Sequence, residues 1–130
     1  MSSTKVIKTS NAPEPVGPYN QAIKAGKFIY CSGQIAIDPV SNEINCLGNI
    51  EKETTQVLKN LLAVLSAGGA KAEDVIKTTI YLTDLKNFQT VNKIYSDFFD
   101  VETPPARACV EVSSLPKGVL IEIDCIAYLD

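Results

Sequence analysis

Two stretches of the chain have the apolar spacing of amphipathic helices. The first starts at Ile50, and its apolar residues recur at intervals of three and four positions: Val57, Leu58, Leu61, Leu62 and Leu65. Asn49 is a suitable N-cap for this helix, and Gly68-Gly69 a suitable stop. The second stretch places five apolar side chains on one helical face: Val91, Ile94, Tyr95, Phe98 and Phe99. The pattern therefore predicts two helices.

The remaining apolar segments are short and rich in β-branched and aromatic residues, which is typical of strands. They are K-V-I-K near the start, K-F-I-Y-C-S-G-Q, D-V-I-K-T-T-I-Y-L-T, P-P-A-R-A-C-V-E-V and V-L-I-E-I-D-C-I-A-Y-L. The order of elements, β-β-(β)-α-β-α-β-β, predicts an α+β fold in which both helices cover one face of a sheet. With no internal repeat or linker, we predict a single domain over residues 1–130.

The last predicted strand is apolar on both faces. One face carries Val119, Ile121, Ile123, Cys125 and Ala127, and the other carries Leu120, Ile126 and Tyr128. Two helices cover only one face of the sheet, so a strand of this kind requires a second cover. No chain remains to supply it. We therefore predict a homo-oligomer whose sheets pack together.

Charge and composition exclude several classes of function. The 130 residues are 45% hydrophobic and 21% charged, as in a globular domain. A net charge of -3 with scattered cations argues against nucleic acid as a partner. No apolar stretch approaches the roughly 20 residues of a membrane span, and the start M-S-S-T-K-V has no secretory apolar core. We expect a cytoplasmic protein without a membrane partner.

The chain has four cysteines and no histidine. None of the cysteines forms a C-x-x-C pair, so a structural zinc site is not predicted, and we expect reduced thiols and no metal. Without histidine there is no Ser-His or Cys-His nucleophile pair. Catalysis would rely on carboxylates, arginine, tyrosine, cysteine, backbone groups or water.

Two charged residues interrupt the last two strand segments, which otherwise read as buried. Arg107 stands between alanines, and Glu122 stands between isoleucines. A charge removed from water is costly unless it is paired or committed to a ligand. Alternation places Arg107, Cys109 and Glu111 on one strand face and Glu122 with Asp124 on another. If these strands are antiparallel neighbours, Arg107 and Glu122 share a surface.

Two interpretations of Arg107 and Glu122 remain open at this point. The first is a structural ion pair. The second is a site in which Arg107 grips a small carboxylate through paired hydrogen bonds. In that site, Glu122 positions or deprotonates a water for attack on a carbon–nitrogen double bond. Apolar neighbours would raise the pKa of Glu122 and make it a better base.

Several segments resemble the RidA/YjgF/UK114 family. They are G-P-Y-N-Q-A, C-S-G-Q-I, E-T-T-Q-V-L-K-N-L, V-I-K-T-T-I-Y-L-T-D, F-Q-T-V-N-K-I-Y and the hallmark P-A-R-A-C-V-E-V with L-P-K-G-V and I-E-I. The resemblance implies a chorismate-mutase-like fold of the bacillus type. It also implies a homotrimer with inward-facing sheets and clefts between subunits. The implied activity is cofactor-free hydrolysis of 2-imino acids or their enamines, such as 2-iminobutanoate and 2-iminopropanoate, to 2-keto acids and ammonia.

The same resemblance assigns roles to seven residues. Arg107 would bind the substrate carboxylate, Glu122 would act on the hydrolytic water, and the Cys109 backbone would meet the imine nitrogen. The remaining assignments shape the cleft: Tyr19 from the adjoining subunit, Ser32 and Gly33 by close backbone approach, and Asn92 by fixing the pocket wall. Asp124 and Glu111 receive no role and are read as solvated or ion-paired.

Each of the shaping residues also has an ordinary structural reading. Tyr19 would be a packing aromatic, Gly33 a bulge residue, Asn92 a cap for a loop, and Cys109 an inert core thiol. One departure from the family pattern concerns substrate size. Pro104 occupies a position where many members have an aromatic residue, and the preceding loop is short.

Two other functions compete with imine hydrolysis. One is a regulatory module that senses a keto acid or an amino acid without turnover, since a fold does not fix a function. The presence of Glu122 favours the enzyme, because binding a carboxylate has no use for a second anion. The other is a ribonuclease, translation inhibitor or chaperone, which the acidic balance disfavours.

Overall fold

The computed structural model describes residues 3–130, and within them six strands form one sheet with two helices. The elements are β1 (Thr4–Ile7), β2 (Ala22–Ala25), β3 (Phe28–Gln34), α1 (Ile50–Ala67), β4 (Val75–Leu82), α2 (Phe88–Phe98), β5 (Ala106–Glu111) and β6 (Ile121–Tyr128). This order confirms the predicted α+β fold. Neither helix in this part of the chain is long and apolar enough to cross a membrane.

The sheet is mixed, with strand order β1-β2-β3-β6-β4-β5. All neighbouring pairs are antiparallel except β4 and β5, which are parallel. Helix α2 is the crossover that a parallel pair requires. Strand β4 therefore lies between β5 and β6, and the supposition that the strands of Arg107 and Glu122 are neighbours is wrong.

Helix α1 begins and ends where its caps predict. The Asn49 side chain accepts a hydrogen bond from the Lys52 N–H at 3.1 Å, and two glutamates lie in the first turn. The Gly68 N–H bonds back to Leu65, and Gly69 adopts a φ of +85° that suits glycine. Its apolar face is almost completely buried, with Val57, Leu61 and Val64 at most 1% exposed. The helix anchors the core over β3 and β6.

The sheet face away from the helices exposes apolar side chains. Its large exposed members are Val6, Phe28, Tyr30, Val110 and Tyr128. The Phe28 ring lies 5.1 Å from the Tyr128 ring and 6.3 Å from the Tyr30 ring, so the aromatic residues form one patch. We call this surface the open sheet face. This is the second sheet face, for which the apolar residues on both sides of β6 predict a cover.

Strand β5 forms one edge of the sheet, and this changes the environment of Arg107. Five of its six residues are exposed, and Cys109 is half-buried. The expectation that Arg107 lies in a buried strand is therefore wrong for the single chain. Its alanine neighbours are too small to distinguish an edge strand from a central one, so the apolar pattern was not diagnostic.

Candidate active site

The carboxylate of Glu122 lies at the base of a cleft on the open sheet face. Its lining is formed by Val16, Tyr19, Ser32, Gly33, Pro116 and Glu122, and its volume is about 360 Å³. Glu122 is half-buried and projects from β6 toward the first residues of the bulge in β3. We call Tyr19, Ser32, Gly33 and Glu122 the carboxylate half of the site.

Gly33 makes room for the Glu122 side chain. A Cβ atom at position 33 would lie within 2.8 Å of the Glu122 Cδ and 3.0 Å of its Cγ, closer than real Cβ contacts allow. The register between β3 and β6 also shifts between Cys31 and Gln34, so the glycine lies in an irregular stretch of strand. Gly33 therefore lies in an irregular stretch of β3, and its lack of a Cβ lets the Glu122 side chain approach the backbone.

The environment of Glu122 raises the pKa of its carboxyl above the ordinary value. Burial contributes most, and the charge of Asp124 two residues along the strand contributes next. Among the described residues no cation pairs with it. A carboxylate with these neighbours is a stronger base than one in water.

A buried glutamine holds the loop that carries Tyr19. The Gln21 side chain is 2% exposed, accepts from the Thr9 N–H at 2.7 Å and donates to the Pro13 carbonyl at 2.9 Å. The Ser32 hydroxyl donates to the Asn20 carbonyl at 2.6 Å. Tyr19 itself is 45% exposed, and its hydroxyl accepts from the Val16 N–H at 3.3 Å. The loop is fixed while the ring remains available at the cleft.

The guanidinium of Arg107 is held at the other end of the sheet by α2. Its Nη1 donates to the Asn92 Oδ1 at 2.7 Å, and its Cζ lies 5.5 Å from the Phe88 ring centre and 5.0 Å from that of Tyr95. No carboxylate in residues 3–130 pairs with it. We call Phe88, Asn92, Tyr95, Arg107 and Cys109 the guanidinium half. Asn92 thus contacts Arg107 and does not cap a loop.

Tyr95 fixes this half to the core. Its hydroxyl and that of the buried Thr78 on β4 lie 2.6 Å apart and share a hydrogen bond. Burial raises the pKa of Tyr95, whereas the Thr78 hydrogen bond and the Arg107 charge lower it. The Cys109 thiol, two residues after Arg107, has its pKa raised by burial, against a lowering effect of Arg107. A thiol whose pKa is raised is less often the thiolate at neutral pH, and it is therefore a weaker nucleophile.

The two halves do not meet within one chain. Arg107 pairs with Thr78 across β4 and β5, and Thr78 pairs with Cys125 across β4 and β6. Paired residues point to the same face, whereas Cys125 and Glu122 are three positions apart and point to opposite faces. Arg107 therefore lies on the helix side and Glu122 on the open sheet face. The structural ion pair between them is excluded for a single chain.

Three features of the site have no signal in the sequence. The stacking of Phe88 and Tyr95 on Arg107 depends on how α2 packs against β5, and both rings read as ordinary core residues. Asp124 accepts a hydrogen bond from the Tyr81 hydroxyl at 3.1 Å and forms no ion pair within residues 3–130. Glu111 accepts from the Leu85 N–H at 2.9 Å and caps the turn before α2.

Comparisons with known proteins identify the class of this fold. The model of the family described as Endoribonuclease L-PSP matches residues 9–129. A RutC family protein of Synechocystis is 54% identical over 125 residues, which cover 96% of each chain. These two matches place the chain in the class of L-PSP/RutC proteins.

Comparison with solved structures identifies the family within this class. A Yersinia pestis protein of unknown function, YyfA of the conserved Rid family, superimposes with a TM-score of 0.94 at 48% identity, over 97% of this chain and 99% of that one. The structure of E. coli TdcF with bound serine superimposes with a TM-score of 0.92 at 39% identity, over 97% and 99% of the two chains. The chain belongs to the Rid family, the RidA/YjgF/UK114 group that the sequence motifs indicate.

Proposed function

We propose that this protein hydrolyses 2-imino acids and their enamine tautomers to 2-keto acids and ammonia without a cofactor. The observation that carries the proposal is the division of the site into two halves, one with an exposed, fixed cation and the other with a half-buried, basic carboxylate. The guanidinium half provides a cation that can bind a carboxylate, and the carboxylate half provides a base. A 2-imino acid has a carboxylate for the first half and an electrophilic carbon for the second.

The halves come together when copies of the chain assemble. The open sheet face has a continuous aromatic patch, and the cleft of the carboxylate half opens on the same face. We infer a homotrimer in which these faces pack inward and the guanidinium half of one subunit meets the carboxylate half of the next. Tyr19, with its exposed ring, then lies at the junction.

Arg107 binds the substrate carboxylate in this scheme. Asn92 takes one N–H of the guanidinium, and the others have no acceptor among the described residues, so they are available for paired hydrogen bonds. The Phe88 and Tyr95 rings restrict the guanidinium plane. Holding the substrate by its carboxylate fixes the adjacent imine carbon, which lowers the entropic cost of attack.

Glu122 activates the attacking water. The water oxygen bonds to the imine carbon, its proton passes to Glu122, and the carbon–nitrogen π electrons move to nitrogen. The protonated Glu122 then gives its proton to that nitrogen, which yields a neutral carbinolamine. The raised pKa of Glu122 suits both transfers, because general catalysts work best when their pKa approaches the working pH. The Cys109 backbone on the edge strand is assigned to orient the nitrogen.

Collapse of the carbinolamine uses the same carboxylate. Glu122 takes the hydroxyl proton as the carbonyl forms, and the carbon–nitrogen bond breaks. Ammonia leaves with the proton that Glu122 returns. The sum is one imine and one water converted to one keto acid and one ammonia, with Glu122 restored. No metal or redox partner is needed for this balance.

A binding function without turnover is the second candidate. E. coli TdcF, a relative of similar fold, was solved with bound serine, so that protein accepts an amino acid. The same Arg107 anchor would serve a sensor of keto acids or amino acids. A sensor has no need of a carboxylate with a raised pKa in the cleft, and this favours hydrolysis. The acidic net charge gives no support to RNA as substrate.

The decisive experiment is an imine-hydrolysis assay. 2-Iminobutanoate and 2-iminopropanoate are generated in situ from the matching amino acids by an amino acid oxidase, and the remaining imine is trapped with semicarbazide. We expect wild type to lower the trapped imine and Arg107→Ala not to, with equal masses by light scattering. A different outcome would favour the sensor: neither protein lowers the trapped imine, and calorimetry shows that wild type binds 2-ketobutanoate more tightly than Arg107→Ala.

A further inference from the structure

Glu122 has a carboxylate neighbour that the proposed mechanism does not yet use. Asp124 lies two positions along β6, so both side chains project from the same face of the strand. Both are half-buried. Two carboxylates on one face repel each other, and this repulsion costs stability when both are ionised.

Tyr81 of β4 holds Asp124 in place. Tyr81 is the cross-strand partner of Glu122, yet its hydroxyl donates to the Asp124 Oδ2 at 3.1 Å. The Tyr81 residue therefore lies opposite Glu122, and its hydroxyl reaches diagonally to the Asp124 carboxylate. Burial and the hydrogen bond to Asp124 raise the pKa of Tyr81, which keeps the hydroxyl a donor at neutral pH.

Few other charges face Glu122. On the β3 side, Glu122 is next to Ser32 and Gly33, which carry no charge. Apart from Glu122, Tyr19 is the ionisable residue in the lining of the cleft. Lys77 of β4 lies on the same face, level with Ile126, and forms no ion pair in the described chain. In the proposed trimer, Arg107 of the neighbouring subunit also approaches, but the substrate carboxylate neutralises it. Asp124 is then the dominant charge that Glu122 experiences.

We propose that Asp124, held by the Tyr81 hydroxyl, is a positioning residue that determines how readily Glu122 accepts a proton from the attacking water. This inference rests on the proposed imine hydrolysis and adds a component to it. Asp124 does not touch the substrate. Its negative charge makes the protonated form of Glu122 more favourable, so the carboxylate withdraws the water proton more strongly.

The test compares the pH dependence of kcat in matched variants of the full-length protein. Asp124→Asn removes the charge and keeps an acceptor for Tyr81. Asp124→Glu keeps the charge. Asp97→Asn removes the same charge from an exposed position of α2 and controls for the change in net charge. Light scattering verifies that every variant assembles like wild type.

For Asp124→Asn we expect the acid limb of kcat to move to lower pH. The plateau rate also falls, by less than the roughly 100-fold or greater loss that removal of the base itself causes. Asp124→Glu should keep the limb near its wild-type position, and Asp97→Asn should match wild type throughout. An acid limb that coincides in wild type and Asp124→Asn overturns the inference.

A second measurement separates this inference from the proposed function. The carboxyl of Glu122 is titrated by ¹³C NMR in substrate-free wild type and Asp124→Asn, with Glu122→Gln to assign the signal. We expect a lower titration midpoint in Asp124→Asn, and an unchanged midpoint overturns the coupling. A wild type that hydrolyses no imine overturns the proposed function and the catalytic role of Asp124, while the titration still decides whether the two carboxylates are coupled.

Discussion

Arg107 and Glu122 point to opposite faces of the same sheet, with strand β4 between their strands. A substrate held by one of these side chains therefore does not reach the other in the same chain. If both act on one substrate, they belong to different subunits. This relationship gives a direct test of the composite site.

If the protein is the proposed trimer, mixing two inactive variants should recover activity that neither variant has alone. Arg107→Ala and Glu122→Gln subunits, each inactive alone, are unfolded together at equal concentration and refolded. A site is intact when the first variant supplies Glu122 and the second supplies Arg107, so about one quarter of the wild-type activity is expected from random assembly around a ring. Imine loss is measured against separately refolded, unmixed parents.

The contrary result is equally clear. Mixed trimers that remain as inactive as the parents, with correct mass, would show that both residues serve the same subunit's site or that one of them is not catalytic.

Replacing Arg107 by lysine should separate charge from geometry. Lysine keeps the positive charge but loses the planar fork and its stacking on Phe88 and Tyr95. We expect kcat/KM to fall by roughly 10- to 100-fold, the value of one or two charge-assisted hydrogen bonds, chiefly through a higher KM. Steady-state kinetics over a range of imine concentrations measures the change. Lys86→Arg, an exposed cation in the turn before α2, is the matched control and should leave kinetics unaltered.

Glu122→Gln should lower the rate by about 100-fold or more and make the protein more stable at neutral pH. The pKa of Glu122 is raised in the folded state, so the folded protein binds the proton more tightly than the unfolded chain. Stability linked to this group is therefore fully present below the ordinary carboxyl pKa and is lost as pH rises through the raised pKa. Glutamine avoids that loss.

Thermal unfolding at fixed protein concentration measures the difference. The Tm advantage of Glu122→Gln over wild type should be present at pH 7 and shrink as the pH falls below the raised pKa. An advantage that stays the same at low pH would mean that the carboxyl is not destabilised by its surroundings.

Gly33→Ala should displace the Glu122 carboxylate. The new methyl group occupies the space of the Glu122 Cδ, and the flexible side chain is the part that moves. Because a misplacement of about 1 Å can cost 100-fold in rate, we expect kcat to fall by up to about 100-fold with little change in Tm. A double-mutant cycle with Glu122→Gln measures the coupling: Gly33→Ala should cost almost nothing when the base is already absent. Equal losses in both backgrounds would place its effect elsewhere.

The sequence predicts the elements of this fold well. Helix α1 follows from an uninterrupted apolar period between two caps, and β6 follows from a run of β-branched residues with few alternatives. The packing of β4 between β5 and β6 is not encoded in any local pattern, because it depends on the crossover through α2. The sequence therefore does not show that β4 separates the strands of Arg107 and Glu122 and that the two side chains point to opposite faces.

The sequence also shows some features of individual residues in the candidate site and not others. Gly33 is visible in the sequence as a glycine within a strand, but the atom it accommodates comes from a residue far along the chain. The sequence indicates a solvated or ion-paired Asp124, because no neighbouring residue in the sequence points to its hydrogen bond with the Tyr81 hydroxyl. Long-range contacts of this kind arise from sheet register, which no single strand determines.

Tyr95 belongs both to the core and to the surroundings of Arg107, the proposed anchor of the substrate. Its side chain is 6% exposed, packs on the Phe99 ring at 4.7 Å and shares a hydrogen bond with Thr78, while its face supports the Arg107 guanidinium. Substitutions that repack the interior around α2 would therefore change the orientation of the Arg107 guanidinium. Efforts to thermostabilise the protein should leave this contact unchanged, because if Arg107 binds the substrate as proposed, a tighter core around Tyr95 would weaken that binding.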